Sequence, residues 1–301
     1  MKNIKTLDEY CQAIQIPPPK YPHFDVRTFE ENMKTVVAQM APFRHEFYAI
    51  AFKKGGTGHA KIGVSQTAES GYTIFFNSPY QILSWDIAPD WEGYYIIFTQ
   101  NFVNKSTLFK ELLLNFPFLR MDHSIPFAVS QEDMQTILQI FTSIYQEYHS
   151  AWTDRMNLIQ AHTLVLLNYV KRYYNQSDLQ GLSQENRNQD LQLVSRYQAM
   201  IELNLAQTEN FDPGFHPQST TFYADQLSIH PNHLNTVVKR TTGQTALKLL
   251  HKKLYEYSQS FLLQTDLSIK EVAYALHFRE PAHFNNFFKK YAKKTPQQFR
   301  D

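Results

Sequence analysis

The sequence contains only one cysteine, Cys11, among its 301 residues. A single thiol excludes an intramolecular disulfide framework and is typical of a reducing compartment. The N-terminal residues contain no apolar stretch that could serve as a signal sequence. No run approaches the roughly 20 apolar residues that a membrane span needs. We therefore expect a cytoplasmic protein that has no membrane partner.

The sequence also lacks the motifs that would support an enzyme or a metal site. It has no Gly-rich phosphate loop and no Gly-x-Ser-x-Gly nucleophile elbow. Of its 12 histidines, only His45 and His59 fall in the β-rich region, and they form no His-x-His pair. We therefore expect no catalytic residue, no bound metal and no cofactor.

The net charge is only +1, but the charges are distributed unevenly along the chain. The region from Pro213 to the last residue contains 12 Lys and Arg against 6 Asp and Glu, whereas the rest contains 17 against 22. An acidic body with a basic end is expected when one part of a protein contacts a polyanion. An imbalance of this size also arises by chance, so it is a weak indication.

Short apolar runs separated by turn residues predict β-strands in the N-terminal half. The runs cover residues 47–52, 59–64, 73–77, 81–85 and 94–99. Strands of this length and spacing favour a small sandwich or barrel, whose mouth can hold a ligand. The residues that we predict to line such an effector pocket are His45, Tyr48, Lys61, Phe75 and Trp85. The alternative for the aromatic residues is plain core packing.

Helical periodicity begins after about residue 100. A short helix is predicted from Phe102 to just before Pro117, and a second helix begins after Ser130, a candidate N-cap. A third helix is predicted from Thr153 to Tyr174. Its apolar stripe is wider than one domain face needs, so this helix either packs on the barrel alone or also forms a homodimer interface.

The polar, amide-rich stretch at residues 175–190 is the best candidate for a linker. It divides the chain into a sensor and dimerisation domain at residues 1–174 and a second domain at residues 191–301.

The second domain begins with one helix-turn-helix pattern. Thr220 or Thr221 is positioned to cap a short helix, which breaks after Leu227. The next helix begins at Pro231, because proline is well tolerated in the first turn of a helix, and it ends at Gly243.

The same plan occurs again about 50 residues later. Ser268 and Glu271 have the spacing of a capping box at the start of a short helix. A turn at His277 follows, and Pro281 begins the next helix. One long helix at residues 245–264 joins the two patterns and spans about 30 Å, close to one turn of DNA. Two such motifs at this separation are far more specific than one.

Residues 220–300 closely resemble the DNA-binding domain of the AraC/XylS family of transcriptional regulators. The matching stretches are YADQL and PNHLNTVVKRTTG in the first half, and SIKEVAYALHF, FNNFFKKY and KTPQQFR in the second. One departure is His277, where the family usually has glycine. Because histidine tolerates a positive φ better than most residues, we expect a strained but intact turn.

The resemblance also implies a fold of the α+β class. The expected order is a cupin-like β-barrel with dimerisation helices, followed by an all-α domain with two helix-turn-helix motifs joined by a long helix. The N-terminal half is similar to the family only in this layout.

Two sets of residues are candidates for contacts with duplex DNA. The residues predicted to read bases from the second helix of each motif are Asn232, His233, Asn235, Thr236, Ala282, His283, Asn285 and Asn286. The residues predicted to contact phosphates are Lys239, Arg240, Lys289, Lys290, Lys293 and Lys294. A solvated helix face is the alternative for each of them.

These features predict a sequence-specific DNA-binding transcriptional regulator. Its expected partners are double-stranded DNA, a small organic effector, a second copy of the chain and RNA polymerase. The alternative is a small-molecule or protein-binding module with a degenerate DNA-binding tail, and only the departure at His277 supports it.

Overall fold

The computed structural model describes residues 1–63, 65–67, 71–106, 109, 112–176, 189–206 and 217–301. Most of the predicted linker at residues 175–190 lies outside these ranges. The chain divides into two units. We call Met1–Phe102 with Asn115–Asn188 the sheet unit, and Val103–Leu114 with Gln189–Asp301 the helical unit.

The described part of the sheet unit contains ten strands. They are β1 (Lys2–Ile4), β2 (Phe24–Thr28), β3 (Gln39–His45), β4 (Tyr48–Gly55), β5 (Gly58–Ile62), β6 (Ser65–Gln66), β7 (Thr73–Asn77), β8 (Ile82–Ile87), β9 (Glu92–Phe98) and β10 (Phe127–Ala128). They form two five-stranded sheets with the orders β1-β3-β8-β5-β6 and β10-β7-β4-β9-β2. The pair β1–β3 is parallel, and the other pairs are antiparallel.

Both faces of the second sheet are buried, which explains why its strands are continuous apolar runs. Successive side chains of a strand point to opposite faces. On β4, Ala49 and Ala51 face the core shared with the first sheet, whereas Tyr48 stacks on Phe98 at the opposite face. Helices cover that opposite face.

The two sheets share one hydrophobic core but remain separate in hydrogen bonding. Phe43, Ala60 and Leu83 of the first sheet pack in the same cluster as the inner face of the second. Among the described strands, no pairing joins the two sheets. Closure into a cupin-like barrel therefore stays a prediction, while a β-rich N-terminal half and a helical C-terminal half are present.

The helices that belong wholly to the sheet unit are α1 (Leu7–Ile14), α2 (Phe29–Asn32), α5 (Gln131–His149) and α6 (Arg155–Gln176). Helices α5 and α6 pack on the outer face of the second sheet, where Phe141 of α5 stacks on Tyr94 and Tyr174 of α6 contacts Phe76. The predicted cap is confirmed, because the Ser130 hydroxyl accepts the backbone N–H of Asp133 at 3.1 Å. Helix α6 begins and ends two residues later than predicted.

The prediction of a single short helix after residue 102 was wrong. Two short helices are present instead, α3 (Gln100–Asn104) and α4 (Leu112–Asn115). Leu108, one of the apolar positions that suggested one helix, lies outside the described residues.

The remaining helices build the helical unit. They are α7 (Gln189–Ala206), α8 (Thr220–Gln226), α9 (Pro231–Thr242), α10 (Ala246–Gln264), α11 (Ile269–Ala275), α12 (Pro281–Ala292) and α13 (Pro296–Arg300). Tyr197 of α7 lies at the centre, fully buried, and its hydroxyl donates to the carbonyl of Ala246 at 3.0 Å. In the described parts of the chain, no helix has both the length and the apolar character that crossing a bilayer would require.

The segment Val103–Leu114 is part of the helical unit even though it follows the sheet in the sequence. The backbone N–H of Leu113 donates to the Glu202 carboxylate at 2.9 Å, and the Asn104 amide donates to the Glu256 carbonyl at 3.0 Å. Lys253 lies 3.9 Å from the Glu202 carboxylate and 3.7 Å from that of Glu256. All three charged side chains are buried, and the segment supplies a hydrogen bond to one of them, the Glu202 carboxylate.

Candidate nucleic-acid interface and interior cavity

The first helix-turn-helix motif is formed by α8 and α9. Ser219 caps α8, because its hydroxyl accepts the backbone N–H of Thr221 at 3.2 Å, so the predicted cap at Thr220 or Thr221 was one or two residues too late. The chain reverses at Ser228, where φ is 55°. The N–H of Ile229 then donates to the Ala224 carbonyl at 3.0 Å, which satisfies a carbonyl at the end of α8.

The second motif, formed by α11 and α12, repeats this turn. The predicted capping box is confirmed: Ser268 accepts the N–H of Glu271, and the Glu271 carboxylate accepts the N–H of Ser268. His277 has a φ of 61°, as expected for the residue in the place of glycine. The N–H of Phe278 donates to the Ala273 carbonyl at 2.9 Å. The turn is intact and has the same hydrogen bonds as the first.

Helices α9 and α12 are equivalent over 12 residues with an offset of 50 positions. Leu234, Val237 and Val238 are buried in α9, and Phe284 and Phe288 are buried at equivalent positions of α12. Both helices begin with proline at the first position and end in a left-handed residue. The residues predicted for base readout are all exposed on the opposite face of these helices: Asn232, His233, Asn235, Thr236, Ala282, His283, Asn285 and Asn286.

Two of these candidates have local hydrogen bonds. The Asn235 side-chain oxygen accepts the backbone N–H of Ala246 at 3.1 Å, and so ties α9 to the start of α10. The Thr236 hydroxyl donates to the Asn232 carbonyl one turn earlier, at 2.8 Å. Asn235 therefore has a structural contact in addition to its predicted role at the DNA.

The six basic candidates are all exposed and lie near the ends of the two helices. Arg240 pairs with Asp190 of α7, with its Nε donating at 2.7 Å. Lys293 is the left-handed residue that ends α12, and its ammonium donates to the Lys290 carbonyl at 3.1 Å. The other four are Lys239, Lys289, Lys290 and Lys294.

Arg279 was missed by the sequence analysis. It lines a pocket of about 330 Å³ at the start of α12, together with His277 and His283. Gln218 also lines this pocket. The Gln218 amide donates to the Leu276 carbonyl at 2.8 Å. A basic residue in the turn immediately before the second helix was the signal that could have indicated Arg279.

The sheet unit contains a cavity of about 80 Å³ between its two sheets. Phe75 and Trp85, which the sequence analysis assigned to an effector pocket, line it. Tyr48 and Lys61 do not, because strand alternation points them to the opposite faces of β4 and β5. His45 is buried at the end of β3 against the Phe47 ring, outside the lining.

His45 is not suited to recognise a charged ligand. Its Nδ1 lies 2.9 Å from the Phe47 carbonyl, and burial lowers the pKa of its imidazole to about 4, so it is neutral at pH 7. Among the described residues, no group of three or more His, Cys, Asp or Glu side chains is arranged to hold a metal ion.

Comparison with known proteins agrees with the geometry of the helical unit. A family model described as a helix-turn-helix domain matches residues 223–301. The transcriptional regulator GlxA of Rhizobium meliloti is 33% identical over 84 residues, which are 28% of this chain and 26% of GlxA. The xylose operon regulatory protein of Escherichia coli O157:H7 is 30% identical over 77 residues, 26% of this chain and 20% of that protein. The chain thus spans about a quarter or less of these curated relatives.

The chain is also similar to solved structures. The C-terminal domain of AraT, a response regulator from Geobacillus stearothermophilus, is 26% identical, with a TM-score of 0.31, and the match covers 36% of this chain and 83% of that domain. ToxT from Vibrio cholerae O395 matches over 92% of this chain and 96% of its own, at 11% identity and a TM-score of 0.35.

The paired turns and the two equivalent helices define a double helix-turn-helix domain. Residues 223–301 are such a domain of the AraC type, as the sequence resemblance implied.

Proposed function

We propose that the protein is a sequence-specific DNA-binding transcriptional regulator. The observation that carries the proposal is the repeated unit of α8–α9 and α11–α12, with the same reversed turn and the same division into a buried and an exposed face. Helix α10, which joins them, has 19 residues and spans about 28 Å, close to one turn of duplex DNA. Both exposed faces can therefore enter successive segments of one major groove.

The side chains on these faces suit duplex DNA. Asparagine can pair in bidentate fashion with adenine, and lysines near the helix ends are placed for phosphates. Arg279, in the turn before α12, adds a donor for the DNA backbone and lies beside the predicted base reader His283. The competing function, a degenerate tail, had only His277 in its favour, and the intact turn at His277 removes that support.

The function is tested by selecting duplexes from a random-sequence library with the full chain. Enrichment of a motif with two parts about one helical turn apart would support two reading helices. Recovery of unselected sequences alone would contradict the proposal.

Asn286→Ala should relax the preference at one or two base pairs and cost about 1–3 kcal/mol for the selected site. Lys290→Ala should lower the affinity for all DNA sequences alike, because a phosphate contact carries no sequence information. Binding titrations against the selected site and single-base variants measure both effects. Asn286 is preferred to Asn235 for this test, because the Asn235 side chain also accepts a hydrogen bond from the backbone N–H of Ala246. Equal loss on every sequence for Asn286→Ala would show that it does not read a base.

We also propose that the chain forms a homodimer through α6. This helix packs mainly against α5 and buries Ile159, Leu166 and Val170. Leu158 and Val165 stay 41% and 42% exposed, seven residues apart on one stripe with Ala161. Such spacing is typical of helix pairing. We also propose that a small organic effector bound in the sheet unit controls DNA binding. A contact with RNA polymerase stays a prediction.

Val165→Glu should weaken self-association about 100-fold or more, because the interface would bury an introduced carboxylate without a counter-charge in an apolar setting. Sedimentation equilibrium of the full chain measures the effect. Gln139→Glu is the matched control, since it introduces the same charge at an exposed position of α5. Equal dimer affinity in both variants, or a monomeric parent chain, would contradict this interface.

A further inference from the structure

The cavity of the sheet unit exists because small residues occupy the centre of a sheet with large neighbours. Ala49 pairs with Asn77 on one side and Ile97 on the other, and Ala51 pairs with Phe75 and Tyr95. Two methyl groups therefore form the floor between larger side chains. The rings of Trp85 and Trp91 add aromatic surface to the wall around this space of about 80 Å³.

Two polar atoms in this lining have no partner among the described residues. They are the side-chain oxygens of Asn32 and Asn77, and these residues are only 3% and 4% exposed. The Asn32 amide nitrogen donates to the Tyr95 hydroxyl at 2.7 Å, and this bond leaves the Asn32 oxygen as the unused group. Buried acceptors without partners are costly and rare. Both oxygens are available to a ligand that donates hydrogen bonds.

The lining offers no charge to an ionic ligand. None of the described residues around the cavity is an acid or a base that is ionised at pH 7. Burial raises the pKa of the Tyr10 and Tyr95 hydroxyls, so both remain neutral. Lys53 is not part of the lining, and its buried ammonium lies over the Trp91 ring, 4.8 Å from the ring centroid. A carboxylate in the cavity would therefore be desolvated without a lining counter-charge.

We propose that this cavity binds a neutral, single-ring aromatic molecule that donates a hydrogen bond, such as a phenol or an aniline. The inference rests on the proposed effector control and names the chemistry of that effector. The ring packs on Ala49 and Ala51 between the aromatic walls, and its donor reaches the oxygen of Asn77 or Asn32.

The size of the cavity sets a condition on entry. A dry cavity of about 150 Å³ holds benzene, and this one is about half as large. A ring therefore enters only if the wall moves outward. Phe29, Met33 and Val36 are the partly buried part of the wall, so we infer that the wall yields on this side.

The test compares three probes of similar size on the full chain by isothermal titration. Phenol has the ring and the donor, toluene lacks the donor, and benzoate adds a negative charge. We expect phenol to bind about tenfold more tightly than toluene, and benzoate to bind about 100-fold more weakly than phenol.

Two variants separate the donor contact from simple occupancy. Asn77→Leu removes the acceptor at similar volume and should abolish the preference for phenol over toluene. Ala51→Leu narrows the floor and should abolish binding of both, and thermal unfolding verifies that it is folded. Lys61→Ala, on the outer face of β5, is the control and should bind phenol like the parent chain.

Binding of none of the probes would overturn the inference and would leave the two oxygens to trapped water. Benzoate bound as tightly as phenol, or an unchanged phenol preference in Asn77→Leu, would also overturn it. DNA binding by the same preparation, measured without probes, shows separately whether the proposed regulator function stands.

Discussion

Raising the salt concentration from about 50 to about 200 mM should weaken the binding of the full chain to duplex DNA about 10³-fold. Each phosphate neutralised by a cation releases about 0.9 condensed counterion, so six contacts give this loss over a fourfold change in salt. The six cations are the exposed side chains near the ends of α9 and α12: Lys239, Arg240, Lys289, Lys290, Lys293 and Lys294. Fluorescence anisotropy over a salt series measures the slope.

Individual cations can be assigned by the same measurement. The double change Lys289→Ala with Lys290→Ala should lower the slope by about two, at one for each phosphate contact. Lys2→Ala, an exposed lysine in the sheet unit, is the control and should leave the slope unchanged. A binding constant that is insensitive to salt would reject phosphate contacts by this set.

Phe288→Ala should lower the free energy of unfolding of the helical unit by about 3–5 kcal/mol, which is the usual loss for truncating a buried phenylalanine. Phe288 is fully buried, and its ring contacts those of Tyr255 and Phe299 at centroid distances of 5.4 and 5.3 Å. It thus joins α12 to α10 and α13. Because a loss of this size is a large part of a typical domain's stability, DNA binding should fall with it.

Urea unfolding followed by tyrosine fluorescence and by DNA retardation measures this effect. Asn285→Ala on the exposed face of the same helix is the matched control and should change stability by no more than about 0.5 kcal/mol. If the two variants were equally stable, the packing around Phe288 would not hold the second motif together.

The helical unit could be predicted in detail because its signals are local. The capping box at Ser268 and the prolines at 231 and 281 fix helix starts within a few residues of sequence. The reversed turn at His277 was expected from its place in the motif. The break after Leu227 was also predicted, but the positive φ of Ser228 was not, because serine gives no local sign of it.

The sheet unit was predicted less completely because its edges depend on distant partners. Strands β4 and β7 are apolar runs and were found from the sequence. The three residues of β1 become a strand only by parallel pairing with β3, about 40 positions later, and neither strand was predicted. Pairing over such a distance leaves little local pattern.

The cavity was predicted in part. Two of the five residues predicted for an effector pocket, Phe75 and Trp85, line the cavity, whereas His45, Tyr48 and Lys61 do not. The side-chain oxygens of Asn32 and Asn77, which lack partners among the described residues, had no sequence signal, since asparagine is usually exposed and only the tertiary fold buries it. Polar residues buried by long-range packing are therefore the least predictable part of the candidate site.

Because it includes the segment Val103–Leu114, the helical unit is formed by two separate stretches of the sequence. A recombination event that joins residues 189–301 to a different N-terminal domain would leave behind the segment that supplies the Leu113 N–H to Glu202 and the Asn104 amide to Glu256. The transplanted domain would then expose a cluster of two carboxylates and Lys253 to water. Exchange of the whole helical unit therefore requires two crossovers instead of one, or a new N-terminal domain that supplies an equivalent of Val103–Leu114.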